Sequence, residues 1–214
     1  MKILALSTST PRGSVAVLDE SAPHAAVVYT DLKGHAERIF TAIDAVLRQA
    51  GLERTAIEGL ACDIGPGSFT GVRVGVASAK GIALGLGVPV VPVVSLEAMA
   101  AAAFAEGAAG EGDAVLSAID AKKGELFLAG FVRAGSALRT ICPPHLRPND
   151  PASFELACEG RRVVVVWDLP CAVWVARLGE ARLAAGLGED AAAIEPLYVR
   201  EPDANRLPAS AAGG

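Results

Sequence analysis

Residues 65–75 read Gly-Pro-Gly-Ser-Phe-Thr-Gly-Val-Arg-Val-Gly, between an apolar run at 60–64 and a helical-looking run at 70–86. A strand that ends in such a turn and restarts as a helix aims backbone N–H groups at one spot, where an anion or another backbone segment can sit. Gly65, Gly67, Ser68, Thr70 and Gly71 are the candidate turn residues. The glycines tolerate positive φ, and Pro66 stiffens the turn. No Gly-Lys-Ser/Thr follows, so the phosphate lysine and metal-binding hydroxyl of a Walker loop are absent. A plain strand-to-helix turn explains the motif, taken alone, equally well.

Other residue types offer less chemistry. Ser68 has no His and Asp partners in a recognised order, which argues against a serine protease. His24, His35 and His145 are scattered and none has a helical i, i+4 partner, so no metal site is expected. Cys62, Cys142, Cys158 and Cys171 show no Cys-x-x-Cys spacing and read as free thiols, with Cys62 and Cys142 buried. Asp120, Lys122, Lys123 and Glu125 cluster at a predicted strand turn, where a solvated hairpin tip is favoured over a role in a cleft.

The helix after the turn has two unusual sides. Gly67, Gly71, Gly75, Ala79, Ala83 and Gly87 recur every four positions, a ridge of small residues that lets a second backbone pack close. Glycine inside a helix costs about 1 kcal/mol against alanine, so several of them need a reason. Val74, Ser78, Gly81 and Gly85 make a second small face, and Arg73 and Lys80 mark a charged edge. A helix apolar on two sides is buried on two sides: one side is expected on the chain's own sheet, the other on a partner.

Around this helix the pattern predicts strands at 2–9 and 14–19 joined as a hairpin, a strand at 25–30, and a helix at 37–49 closed by Gly51. A strand at 60–64, the small-residue helix, a short strand at 88–94 and a helix opened by Ser95 follow. Three strands, helix, strand, helix, strand is the ribonuclease-H-like order. Residues 107–113 are small and polar and are read as a boundary between a first lobe (1–107) and a second (108–214). The second half restarts with strands at 115–119 and 125–132, a possible third at 137–141, an apolar run at 162–167 read as a buried central strand, and a helix at 172–185. The 204–214 tail is expected to be loose.

Composition fits a folded α/β protein of 214 residues: 52% hydrophobic, 5% aromatic, mean hydropathy +0.41. No apolar run reaches the roughly 18 residues of a membrane span, and the first residues lack a signal-peptide layout, so a cytoplasmic, membrane-free protein is expected. The net charge of −5 disfavours a stand-alone nucleic-acid binder.

Residues 1–17, the glycine block 65–75, Ser117-Ala-Ile-Asp-Ala-Lys-Lys-Gly-Glu125 and Glu195-Pro-Leu-Tyr-Val-Arg200 together resemble the TsaB (formerly YeaZ) family. The resemblance implies an actin-like ATPase fold of two ribonuclease-H-like lobes, the second shortened. It also implies a non-catalytic partner of TsaD, which transfers the threonylcarbamoyl group in making threonylcarbamoyladenosine in tRNA. TsaE, an ATPase, and TsaC complete that pathway. Ser7 stands where the superfamily usually has an aspartate near metal and phosphates, and a hydroxyl is a poor substitute on Mg²⁺. Ser95 and Met99 stand where TsaD has a His-x-x-x-His metal pair.

The expectations are therefore no catalytic residue, no metal and no cofactor, with the chain a subunit of a transferase complex rather than an enzyme alone. The expected partner surface is the helix pair 37–49 and 70–86, with Glu37, Phe40, Arg73 and Lys80 as contact residues. A TsaD-like protein is the direct partner and a TsaE-like ATPase joins the complex. The chain is a homodimer when alone, and tRNA is met only through the complex. The alternative is an active nucleotide-dependent phosphotransferase or ATPase of the same superfamily.

Overall fold

The computed structural model describes residues 1–19, 22–30, 36–135, 137–154, 160–167 and 171–200. His35, Cys158 and the 204–214 tail lie outside the described residues, as does the side chain of His24. Alternating residues at the start of the chain give β1 (Lys2–Ser7), whose Leu4 and Leu6 face one side of a sheet and Ile3 and Ala5 the other. It pairs antiparallel with β2 (Arg12–Asp19), which pairs antiparallel with β3 (Ala22–Thr30). Helix α1 (Ile39–Ala50) carries the chain to β4 (Gly59–Asp63), parallel to β1. Helix α2 (Phe69–Leu86) then leads to β5 (Val90–Val93), parallel to β4. The sheet order is β3-β2-β1-β4-β5, the predicted ribonuclease-H-like arrangement.

Helix α3 (Ser95–Ala105) crosses to the second sheet, built from β6 (Ala114–Lys122), β7 (Glu125–Ala134), β8 (Ala137–Pro148) and β9 (Val163–Val166) in the order β8-β7-β6-β9. Helix α4 (Ala172–Ala184) ends the regular structure. The second lobe is thus the shortened copy that the pattern predicts. Two details differ. β9 is not central but lies at the sheet edge, paired only with β6 among the described strands, and its Val165 is 37% exposed. An unbroken valine run reports β propensity on both faces but not position in the sheet. β8 also runs to Pro148, past the predicted end at 141.

The 107–113 boundary separates the sheets but not the packing units. α3, from the first half, packs Leu96, Met99, Ala103 and Phe104 against Val115, Phe127 and Phe131 of the second sheet. α4, from the second half, packs Ala172, Val175 and Ala176 against Ile3, Ala61 and Val91 of the first. A Cβ on Gly179 would overlap that of Ala61, so α4 lies directly on β4. Each sheet is thus covered by a helix from the other half.

Candidate functional site

The two lobes leave a cleft of about 830 Å³. Its first-lobe wall is the glycine turn with Ser9 and Phe69, and its second-lobe wall is the β6–β7 turn with Lys122 and Lys123. Beneath the turn lies Asp63, the last residue of β4 and fully buried. Its Oδ2 is 2.7 Å from the Ser7 hydroxyl and 2.5 Å from that of Ser9. Its Oδ1 is 2.5 Å from the Ser95 hydroxyl and accepts the Gly65 N–H at 2.9 Å. One carboxyl thereby joins the end of β1, the glycine turn and the start of α3. Burial pushes Asp63 above the ordinary carboxylate range, outweighing the opposing effect of its hydrogen bonds to Ser9, Ser95, Gly65 and Ser7. Burial likewise pushes the neighbouring Cys62 thiol up.

The glycine turn is built for backbone approach. Gly65 has φ 97°, a left-handed conformation that favours glycine. Gly67 serves differently: a Cβ there would lie on the Ser9 carbonyl, which accepts the Ser68 N–H at 2.6 Å. Ser68 caps α2 by accepting the Gly71 N–H at 3.3 Å, while Thr8 donates its hydroxyl to the Gly71 carbonyl at 2.8 Å. Thus the N–H groups of Gly65, Ser68 and Gly71 already have acceptors inside the protein. A phosphate cradle needs such donors free, and here they go to Asp63 of β4, to the Ser9 carbonyl after β1 and to Ser68 within the turn. Thr70 is exposed on the first turn of α2.

The two small faces of α2 have different surroundings. Gly71, Gly75, Ala79 and Ala83 are buried on the first sheet, with Gly75 so close to Thr8 that a Cβ would overlap its hydroxyl. On the other side Ala77, Gly81, Leu84 and Gly85 are exposed, and an added Cβ on Gly81 or Gly85 would meet nothing within 4 Å. α1 lies alongside, with Glu37 exposed just before it and Phe40 55% exposed. Phe40, Ile43, Leu47, Ile82 and Leu86 line an apolar hollow of about 260 Å³ between the helices, with the Asp44–Arg54 ion pair at its rim.

Arg73 and Lys80 lie at the edge of that open face, one helical turn from Ala77 and Leu84, and each also touches a later segment of the chain. Arg73 lies 3.7 Å over the Phe69 ring and donates its Nε–H to the Tyr198 hydroxyl at 2.8 Å, and Lys80 donates to the Ala192 carbonyl at 3.1 Å. Both hold residues 189–200, a strap that pairs with Val90 through Glu189 and with Ile64 through Leu197. At its end Arg200 pairs with Glu125 and donates to the Ala121 carbonyl, tying the strap to the second lobe. A seven-residue spacing identifies one helix edge but not what covers it, because the covering segment lies more than a hundred residues away.

The Lys122–Lys123–Gly124 turn reaches the cleft rather than open solvent alone. Lys122 and Lys123 have φ of 64° and 58°, and the Lys122 ammonium pairs with Asp120 at 2.7 Å. That pair, with the Lys122 N–H, holds the Asp120 carboxyl below its usual range. The positions matched to superfamily ligands are engaged in the fold: Ser7 and Ser95 bond Asp63, and Met99 is buried in the second core. Among the described residues no group of three or more His, Cys, Asp or Glu could hold a metal ion, and no helix is long and apolar enough to cross a membrane. Asp63 carries no sequence signal, because it sits at the end of an apolar run and its three serine partners lie 32 to 56 residues away.

A family model for TsaD, the tRNA N6-adenosine threonylcarbamoyltransferase, matches residues 29–148. The tRNA threonylcarbamoyladenosine biosynthesis protein TsaB of Haemophilus influenzae is 40% identical over 133 residues, which cover 62% of this chain and 55% of that protein. TsaB of Escherichia coli is 38% identical over the same length, covering 56% of it. The match thus spans little more than half the length of these curated relatives. An uncharacterized protein of Mycobacterium tuberculosis is 30% identical over 96% of this chain and 94% of its own length. The solved structure of YeaZ from Pseudomonas aeruginosa superposes with a TM-score of 0.83 at 26% identity, covering 92% of this chain and 99% of that one.

Proposed function

Because the chain belongs to the TsaB (YeaZ) family, we propose that it serves threonylcarbamoyladenosine formation in tRNA as a non-catalytic scaffold or activator of a TsaD-like transferase. The observation that carries this reading is the outer face of α1 and α2. Phe40 and Leu84 are 55% and 66% exposed beside Ala77, Gly81 and Gly85. An exposed apolar patch of this kind marks an association site, and small residues let a second helix approach closely. Glu37 stands at the edge of the patch and supplies a charge for register. Arg73 and Lys80 border the patch as further contact residues while also holding the strap. A TsaE-like ATPase joins the complex, tRNA is met only there, and the same face closes a two-fold homodimer when the chain is alone.

The test is size exclusion of Leu84→Glu and Phe40→Glu with and without the TsaD-like protein. Both the complex and the homodimer should be lost while each variant keeps the wild-type melting temperature. Persistence of both assemblies overturns the reading. Calorimetric titration with Mg-ATP separates this reading from the phosphotransferase alternative, which requires tight binding and turnover by the chain alone.

A further inference from the structure

We propose that Asp63 is a neutral carboxylic acid in the folded protein, closing a hydrogen-bonded ring with Ser9 and Ser95 that latches the floor of the cleft. The protons available to the ring decide its state, whatever the partner. Five polar contacts meet here: Ser7 Oγ and Ser9 Oγ on Oδ2, Ser95 Oγ and Gly65 N on Oδ1, and Ser9 Oγ to Ser95 Oγ at 3.1 Å. If the carboxyl were ionised, three hydroxyls and one amide would bring four protons, all directed at it. The Ser9–Ser95 contact would then have none.

One proton on Oδ2 supplies the fifth. Asp63 then donates to Ser9 across 2.5 Å, within the range of an O–H···O hydrogen bond. Ser9 donates to Ser95, Ser95 returns its proton to Oδ1, Ser7 donates to Oδ2 and Gly65 N–H to Oδ1. Every contact is satisfied once. The surroundings favour the same state. Asp63, Ser7, Ser9 and Ser95 are all 0–1% exposed, and no cation is among the groups acting on the carboxyl. A buried carboxylate without a counter-ion neutralises. From β1 and α3 the carboxyl is faced by Ser7 and Ser95, and Gly75 of α2 lies by the Asp63 backbone carbonyl; none of these titrates. The titratable neighbour on its own strand is Cys62, whose thiol is kept protonated by burial.

The latch therefore depends on pH. Asp63 holds its proton in the folded state at pH values where the unfolded chain has released it, so its contribution to stability falls as pH rises from the ordinary carboxylate range toward the folded value. Ionisation removes the Ser9–Ser95 link, while the glycine turn stays joined to the start of α3 by the Ser95 N–H donated to the Gly65 carbonyl at 2.9 Å.

Carbon NMR of the wild-type protein, isotope-labelled at the aspartate carboxyls, tests this directly. One aspartate should keep the shift of a protonated acid at neutral pH, and Ser7→Ala should move that resonance and identify it. Asp63→Asn, which can donate to Ser9 as the neutral acid does, should remove it. That variant should melt no lower than wild type at neutral pH and lose part of the decline in stability with rising pH, whereas Ser95→Ala should melt lower. If every aspartate titrates in the ordinary acidic range, the proposal is overturned. That measurement needs no variant, so it decides even if Asp63→Asn does not fold.

Discussion

At Gly67 there is no room for a side chain, because a Cβ would lie on the Ser9 carbonyl, which is backbone and cannot swing aside. Gly67→Ala should therefore destabilise the protein by about 1–3 kcal/mol, the usual cost of overpacking, and should show as a lower urea midpoint. A second residue with a definite expectation is Asp113. Arg162 and the Gly110 N–H bond its carboxyl and hold it below the usual range. A depressed folded pKa gives stability that is present above the unfolded value and withdrawn as pH falls through the folded one. Arg162→Ala should flatten the acid limb of the stability profile around and below pH ~4 and leave the alkaline limb unchanged.

Among the elements, α2 shows how far a sequence pattern reaches. Small residues every four positions foretell a helix that packs tightly on two sides, and Gly71, Gly75, Ala79 and Ala83 do meet the sheet. The pattern cannot tell which side meets the sheet, because both sides are small. Nor can it show that Arg73 is held by Tyr198, a contact 125 residues long. The strand order was legible because hairpin and crossover signals are local. The edge position of β9, the exchange of α3 and α4, and Asp63 were not, since each depends on segments far apart in the chain. The open side of α2 carries a prediction of its own. Gly81→Ala fills empty space in a helix interior, and helix propensity should raise the stability of the isolated chain by about 1 kcal/mol. Gly81→Trp should keep the fold and block association. A Gly81→Ala variant that melts lower than wild type would show that this face is packed within the chain after all.

Over the whole molecule, the crossed helices should make the two lobes one folding unit. Without residues 108–200, the first sheet would expose Ile3, Ala5, Ala16, Leu18, Ala61 and Val91, the face that α4 covers. Without residues 1–107, the second sheet would expose Val115, Phe127 and Phe131, the face that α3 covers. The contacts between the halves go beyond apolar packing. Arg182 on α4 pairs with Glu97 on α3 at 2.5 Å and donates to the Pro92 carbonyl at 2.9 Å, and Ser14 accepts the Ala172 N–H at 2.9 Å. Losing a layer over one face of a sheet leaves an apolar surface that a small domain cannot keep in water. A chain cut within the exposed 110–112 stretch should therefore give two halves that each fail to fold alone. Mixed from denaturant, the halves should recover one cooperative transition and elute as a one-to-one pair at the size of the intact chain. Hydrogen exchange would check the mechanism: the amides of β1 and β4 should be protected in the reconstituted pair and exchange rapidly in the first half alone. A first half that folds by itself with those amides protected would show that α4 is dispensable to the first sheet, and that the lobes are independent domains despite the helices they share.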